Sequence, residues 1–285
     1  MKNKELLLEE IQQEMLNTVM KIDEICKLLN IKYSLAYGSL IGAIRHKGFI
    51  PWDDDLDIWM TKRDLDIFCE YCNSHCDEIK PFKLCSRSNT LNYVYNIPRF
   101  ANLSYKYVNT DKHQAMFDIG IFVDIYPIEG YGNSKKTIKK LARKSIELNY
   151  LYDIYINPTS RSGGIKTLIK KVIFRALHII YKDKYYLIQE EKFDRYIKKY
   201  SEQNCKYVGC VRWAPKNPVL HKRVDIFDKN GDLNVVEWDF EGVKLKVLKN
   251  YDVILKNSYG DYMQLPPEDE RHPIHEYKIY KRLDM

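Results

Sequence analysis

The sequence predicts an α/β fold, an α+β arrangement in which a mixed sheet carries helices on its face and a basic helical lobe is inserted. Three observations lead there. Apolar residues recur every three or four positions over residues 5–30, and the run 134–202 reads as helical and basic throughout. Short alternating or wholly apolar runs at 33–37, 56–60, 82–86, 93–99, 103–108 and 117–130 read as strands. From the end of the first of these runs into the second lie a Gly-Ser turn (Gly38, Ser39), a basic trio (Arg45, His46, Lys47), a Pro-Trp corner (Pro51, Trp52) and four aspartates, Asp53, Asp54, Asp55 and Asp57.

Each element has its own justification. In the first helix Leu8, Ile11, Met15, Val19, Ile22, Cys26 and Leu29 make a buried stripe, and Asn30 is a stop. The strand 33–37 delivers Gly38-Ser39 to its end, and 40–44 is a short helix starting there. Such a turn presents backbone N–H groups to phosphate. The second strand, 56–60, follows Asp55. In strand geometry Asp55 and Asp57 share one face while Leu56 and Ile58 enter the core. A helix over 62–76 places Cys69, Cys72 and Cys76 on one face beside His75. No second pair follows at zinc-finger distance, so these read as core or surface thiols. The strand candidates 82–108 carry Tyr93, Tyr95, Arg99, Tyr105 and Tyr107. The run 117–130 is apolar apart from Asp118, a turn or supporting residue, and Asp124. An ionised aspartate inside such a strand is rarely buried unless paired or on a metal, which makes Asp124 a third candidate ligand.

Within 134–202, Ser162-Gly163-Gly164 breaks the helical run. After it, residues 165–182 place Ile165, Leu168, Ile169, Val172, Ile173, Ala176, Leu177 and Ile180 on one face. Lys166, Lys170, Lys171, Arg175 and Lys182 lie mainly on the other. Two readings stand level, a membrane-surface helix and an ordinary core-packed one. His178 reads as a packed histidine. Strands return over 203–249 with a hairpin at 237–243, then a helix over 251–258 and the segment YGDYMQLPPEDERHP. That segment reads as a structural latch, with Tyr259, Tyr262 and Met263 walling a ligand pocket as the alternative. The expected divisions are 1–133 (catalytic core), 134–202 (basic helical insertion) and 203–285 (C-terminal strands and closing motif).

Over 285 residues the net charge is +7 and seven cysteines are scattered. The charge asks for an anionic partner, yet no zinc-finger pairs, RRM signature or basic heptads are present, so nucleic acid is not expected. The odd cysteine count and an N-terminus without an apolar leader predict reduced thiols, no signal peptide and a cytoplasmic protein.

Crowded carboxylates repel and raise one another's pKa, and a hard divalent cation relieves this. Asp55, Asp57 and Asp124 are therefore the candidate catalytic and metal-holding residues, for Mg²⁺ with Mn²⁺ as an alternative. Gly38 and Ser39 would cradle nucleotide phosphates, with Arg45 and Lys47 neutralising their charge. Asp54 would orient Asp53 by hydrogen bonding, and His46 would either bind phosphate or shape the loop.

The stretch from Gly38 to Asp57, GSLIGAIRHKGFIPWDDDLD, resembles the hallmark of the LicD family. That family is related to fukutin and fukutin-related protein and belongs to the nucleotidyltransferase-like superfamily. Val123-Asp124-Ile125-Tyr126-Pro127 and Tyr259-Gly260-Asp261-Tyr262-Met263 are similar to two further elements of it. Asp55 lies 16 positions after Ser39, a longer spacing than in many nucleotidyltransferases but shared with LicD proteins. The resemblance places Trp52 and Asp53 beside Gly38, Ser39, Arg45 and Lys47 in the substrate- and nucleotide-binding set. It implies a phosphotransferase moving phosphocholine from CDP-choline to a sugar hydroxyl of a teichoic acid, capsule or lipopolysaccharide precursor, releasing CMP. Ribitol or glycerol phosphate from a CDP donor, or a true nucleotidyltransferase releasing pyrophosphate, are the alternatives. A retired, non-catalytic scaffold is disfavoured by the retained acids. The resemblance also implies a lipid-linked glycan acceptor and contact of the basic helices with the inner face of a bacterial plasma membrane.

Overall fold

The computed structural model describes residues 4–90, 93, 95–109, 119–156, 169, 172–173, 176, 180, 184–213, 226–228, 233–275 and 277–282. Asp118, His178, the Ser162-Gly163-Gly164 break and most of 165–182 lie outside the described residues. The fold is of the α+β class, a mixed sheet with flanking helices. Contacts divide the chain into two compact units. Unit 1 holds residues 1–110, 116–128 and 229–285; unit 2 holds 111–115 and 129–228.

Unit 1 begins with α1 (Leu8–Leu29), which buries Ile11, Met15, Val19, Ile22 and Cys26 and leaves Leu8 and Leu29 half exposed at its ends. Asn30 ends it in the left-handed conformation (φ 52°), which asparagine tolerates. The sheet runs β1 (Tyr33–Leu35), β2 (Asp57–Thr61), β6 (Ile121–Gly132), β4 (Arg99–Asn102), β3 (Phe82–Cys85). The β2–β6 pair is parallel and the other pairs are antiparallel. α3 (Lys62–Ser74), capped by the Thr61 hydroxyl accepting from the Asp64 N–H, sends Phe68 against Phe100 of β4.

The first strand is shorter than expected. Chain direction changes at Tyr37, itself left-handed (φ 46°), because α2 (Tyr37–Ile41) starts there and passes into a π-helical turn (Gly42–His46). Gly38 and Ser39 therefore sit in the first turn of a helix rather than in front of one. Residues 93 and 95–98 do not form the expected strand; they lead into β4. The 103–108 candidate starts with a turn at 103–104 and continues as β5 (Tyr105–Asn109), which pairs with the C-terminal β11 (Tyr277–Lys281) instead of joining the main sheet. The hairpin β9 (Val235–Phe240) and β10 (Val243–Leu248) turns through Glu241 and Gly242, both at positive φ (49° and 78°), the primed two-residue turn that matches strand twist. α6 (Tyr251–Tyr259) follows.

Unit 2 takes the end of β6. Glu129, Gly130 and Gly132 pair with β7 (Tyr207–Gly209), and β7 pairs with β8 (Ile226–Asp228). Helices α4 (Lys135–Ile156) and α5 (Lys184–Ile197) pack together, burying Leu141, Leu148, Phe193 and Ile197. Buried Arg212 answers Glu129 at 3.3 Å and Asp194 at 2.8 Å.

Candidate active site

The two halves of the Tyr37–Met60 stretch are locked together before any ligand is considered. The Asp57 N–H donates to the Ser39 hydroxyl (2.9 Å), and the Ala36 N–H donates to the Asp57 carbonyl (2.9 Å). Ser39 is buried, so its hydroxyl oxygen serves the chain and only its proton is left for a phosphate. Gly38 is glycine for a local reason: a Cβ there would lie 2.8 Å from an Asp53 carboxylate oxygen. On α1 the Gln12 side chain donates to the carbonyls of Ile50 (3.3 Å) and Asp53 (2.8 Å), fixing the loop that carries the acids.

The aspartates are not equivalent. Asp57 and Asp124 are register partners on adjacent parallel strands, and Arg99 is the register partner of Asp124 on its other side. Register partners share a sheet face, so Asp57, Asp124 and Arg99 form a row across three strands. Arg99 donates through Nε to one Asp124 oxygen (2.6 Å) and through Nη2 to the other (3.3 Å). The guanidinium lies over the rings of Tyr95 (3.8 Å) and Phe122 (3.9 Å), the flat stacking that arginine and not lysine provides.

Asp57 is buried, and among the described residues its Oδ1 has no hydrogen-bond partner. Burial, followed by repulsion from Asp55 and Asp124, holds its carboxyl well above the usual carboxylate range. Asp55 is raised by burial and opposed by His275. Asp53 is pushed up to about 8, by burial first and then by Asp55 and Asp54. Among the described residues no three His, Cys, Asp or Glu side chains converge to ligate a metal as they stand. The donor set nevertheless fits a divalent cation. An orphaned buried carboxylate oxygen beside a second, half-buried carboxylate is the pair Mg²⁺ uses when substrate phosphates complete its shell. Asp124 is the least free of the three, since both its oxygens are on Arg99.

Other expected residues do different work. Arg45 sends Nη1 to the carbonyls of Tyr262 (2.7 Å) and Gln264 (3.1 Å), tying down the closing motif rather than standing free for phosphate. Lys47 is exposed and left-handed (φ 60°), and its carbonyl accepts from the Glu241 N–H (2.8 Å). Trp52 is half-buried between His46, edge-on at 6.4 Å, and Arg271, 5.8 Å from its ring. Asp54 is not a partner of Asp53. Both of its oxygens are held by His275, the backbone N–H at 3.0 Å and Nδ1 at 2.8 Å, and its carbonyl accepts from the Tyr277 hydroxyl.

Sequence reasoning missed His275, Tyr277, Arg99 and Glu241 as parts of this site. The His275 Nε2 lies 3.8 Å from an Asp55 oxygen, and the hydrogen bond to Asp54 raises its pKa. Only Arg99 left a trace in the sequence, as a lone cation in the apolar run Asn96-Ile97-Pro98-Arg99-Phe100. Elsewhere, burial pushes the Cys69 and Cys72 thiols up to about 12, and all seven cysteines are free.

Residues 30–161 match the family model described as LicD/FKTN/FKRP, nucleotidyltransferase domain. The chain is 28% identical over 302 aligned positions to the lipopolysaccharide cholinephosphotransferase LicD of Haemophilus influenzae, covering 97% of this chain and 99% of that one. It is 32% identical to an uncharacterized protein of Rickettsia prowazekii over 42% of each chain. A second uncharacterized protein, from Rickettsia typhi, is 33% identical over 44% of this chain and 37% of its own.

Proposed function

We propose that the chain, similar over residues 30–161 to the LicD/FKTN/FKRP nucleotidyltransferase domain, is a phosphotransferase that moves phosphocholine from CDP-choline to a sugar hydroxyl of a cell-surface glycan precursor, releasing CMP. The observation that carries the reading is the similarity to a lipopolysaccharide cholinephosphotransferase along nearly the whole of both chains. A match confined to the nucleotidyltransferase domain would support the chemistry but not the alcohol.

Asp57 and Asp55 would hold Mg²⁺ together with the donor's phosphates; when bound, the ion supplies charge neutralisation at the phosphorus and the leaving oxygens. The chain's own residues supply orientation. The N–H groups of the first turn of α2, at Gly38 and Ser39, face the negative charge of the donor. Lys47, exposed at the end of the π-helical turn, is the cation of the motif left free to meet phosphate. Arg99 occupies both oxygens of Asp124 and fixes it in the row beside Asp57, so Asp124 is poorly placed to accept the hydroxyl proton. His275 holds Asp54 and presents its second nitrogen toward Asp55. The acceptor in this reading is lipid-linked, and the basic helices of unit 2 contact the inner face of a bacterial plasma membrane.

The test is CMP release by purified protein from CDP-choline, CDP-ribitol and CDP-glycerol, with Mg²⁺ and with or without a glycan acceptor. Release from CDP-choline alone, abolished by EDTA and by Asp57→Asn, is expected. Release from a polyol donor instead would reassign the alcohol. Pyrophosphate from a nucleoside triphosphate would move the protein to the nucleotidyltransferases proper.

A further inference from the structure

The donor of the proposed reaction ends in a trimethylammonium two carbons from its phosphate. Such a cation is held by the faces of aromatic rings, and here the rings must border the acids that meet the phosphates. Four groups of rings can be compared among the described residues. Trp52 has His46 edge-on at 6.4 Å and Arg271 5.8 Å from its ring, and Arg45 reaches the same histidine at 3.4 Å. Tyr196 is surrounded by the amines of Lys140, Lys144 and Lys199, 5.4, 4.7 and 4.3 Å from its centre. Both settings repel a further cation. Tyr37 packs edge-on against Trp59 at 5.0 Å and Tyr126 at 4.8 Å, and the latter two are buried, so that group is closed.

The fourth group is open and borders the acids. In the β5–β11 ribbon Tyr107 is the register partner of Ile279 and Tyr277 that of Asn109, which makes the two tyrosines diagonal neighbours on one face. Their ring centres are 5.0 Å apart, and Tyr107 meets Phe122 at 5.5 Å. The rings incline to one another by 33° and 57°, and each is half-buried, with part of its surface in solvent. Tyr107 and Phe122 back onto the buried cluster of Cys85, Tyr93, Ala101 and Ile119, which fixes them in place. Phe122 stands two positions before Asp124 on β6, hence on the same sheet face as the Asp57–Asp124–Arg99 row. At the other end the Tyr277 hydroxyl donates to the Asp54 carbonyl, and His275, 6.4 Å from the Tyr277 ring, lies 3.8 Å from Asp55. The wall therefore runs within unit 1 from the acid row to the acid loop. One part of it already holds a cation, since the Arg99 guanidinium lies 3.9 Å from the Phe122 ring centre. Phe122 is the backing of the wall, and Tyr107 and Tyr277 are the rings it offers to a ligand.

We propose that Tyr107 and Tyr277 hold the quaternary ammonium of the donor and so select the alcohol that is transferred. The inference rests on the choline reading of the donor and deepens it. The two tyrosines are specificity residues, acting on the cation and not on the reacting phosphorus.

The probes are CDP-choline and its uncharged isostere, the cytidine diphosphate ester of 3,3-dimethylbutanol, with CMP as the reference. Affinities are measured by calorimetry on the full chain without acceptor. Wild-type protein should bind CDP-choline about five- to thirtyfold more tightly than the isostere, the range for cation–π contacts. Tyr107→Leu should bring that ratio close to one, whereas Tyr107→Phe, which keeps the ring face, should retain it. Tyr277→Leu and Tyr277→Phe form a second pair, which decides the matter if Tyr107→Leu fails to fold. A wild-type ratio near one overturns the proposal, as does a ratio that survives the leucine changes. CMP affinity falling as far as CDP-choline affinity in Tyr107→Leu would also overturn it, in favour of stacking on the cytosine base. The ratio is read in binding, so it separates from turnover. CMP release from CDP-choline without the ratio removes the cage and leaves the transferase reading standing. A ratio lost in the leucine variants, with no CMP release from the wild type, keeps the cage and removes that reading.

Discussion

Asp57 shows how a single residue carries two opposed demands. Its backbone is structural: the N–H and carbonyl tie β2 to Ser39 and Ala36. Its carboxylate is buried among like charges with one oxygen unpartnered, a cost no packing argument explains. Asparagine keeps the shape and removes the charge. Asp57→Asn should therefore end CMP release while raising the melting temperature of the metal-free protein, by about 2–4 °C for each kcal/mol relieved. Loss of activity accompanied by unfolding would count against this. Arg99 is the converse case, a buried cation whose removal strands Asp124. Arg99→Ala should cost about 3–5 kcal/mol in denaturant unfolding. Adding Asp124→Ala should restore part of that, because a pair removed together leaves no uncompensated charge. Additive losses in the double mutant would refute the coupling.

At the scale of elements, the aspartate loop is gripped from two sides by segments distant in sequence. The tip of the β9–β10 hairpin places Glu241 so that its carboxylate accepts from the Phe49 N–H (3.0 Å), with Trp238 donating to the Ala43 carbonyl (3.0 Å). A Cβ at Gly48 would lie 1.9 Å from the Glu241 carboxylate. Gly48→Ala should therefore destabilise the protein, and Glu241→Ala, itself costing about 1–3 kcal/mol for the bond lost, should make Gly48→Ala nearly silent. A thermodynamic cycle measures that coupling. From the other side, β11 pairs with β5 and carries Tyr277 to the Asp54 carbonyl, with the Tyr277 and Tyr107 rings 5.0 Å apart. Arg45 holds the preceding Tyr262–Gln264 turn. The closing segment is thus a strap over the acid loop. His275→Ala should lower turnover about 10–100-fold, the range for residues that orient a metal's ligands. Unchanged turnover would leave His275 a structural clasp alone.

For the whole molecule, excess positive charge and a cluster of acids coexist because they are separated in sequence. The acids lie at 53–57 and 124, whereas much of the lysine lies in 134–202. Mg²⁺ binding to the folded state alone should raise stability by RT ln(1 + [L]/Kd), about 2.7 kcal/mol at a hundredfold excess over Kd. The thermal shift should vanish in Asp57→Asn. A Mg²⁺-induced shift that persists in that variant would place the ion elsewhere.

Taken by itself, the sequence determined the resemblance to LicD proteins, the α+β class, and the places of α1, α3, β2 and the hairpin. Those rest on local periodicity and turn chemistry, which neighbouring residues decide among themselves. It also singled out Asp124, because a carboxylate inside an apolar strand is a local anomaly. It could not show that Arg99 occupies both oxygens of Asp124, that Asp54 belongs to His275, or that Arg45 holds carbonyls of the closing motif. Each of those pairings joins residues 25 or more positions apart, through strand registers and a C-terminal strand whose partner, β5, has no local signature. The direction faced by Ile169, Val172, Ile173 and Ile180, all exposed, was likewise undecided in sequence, since an amphipathic pattern reads the same whether its apolar side meets a core or a surface. Only the tertiary structure settles which side is left in solvent, because burial belongs to what packs against a helix and not to the helix itself.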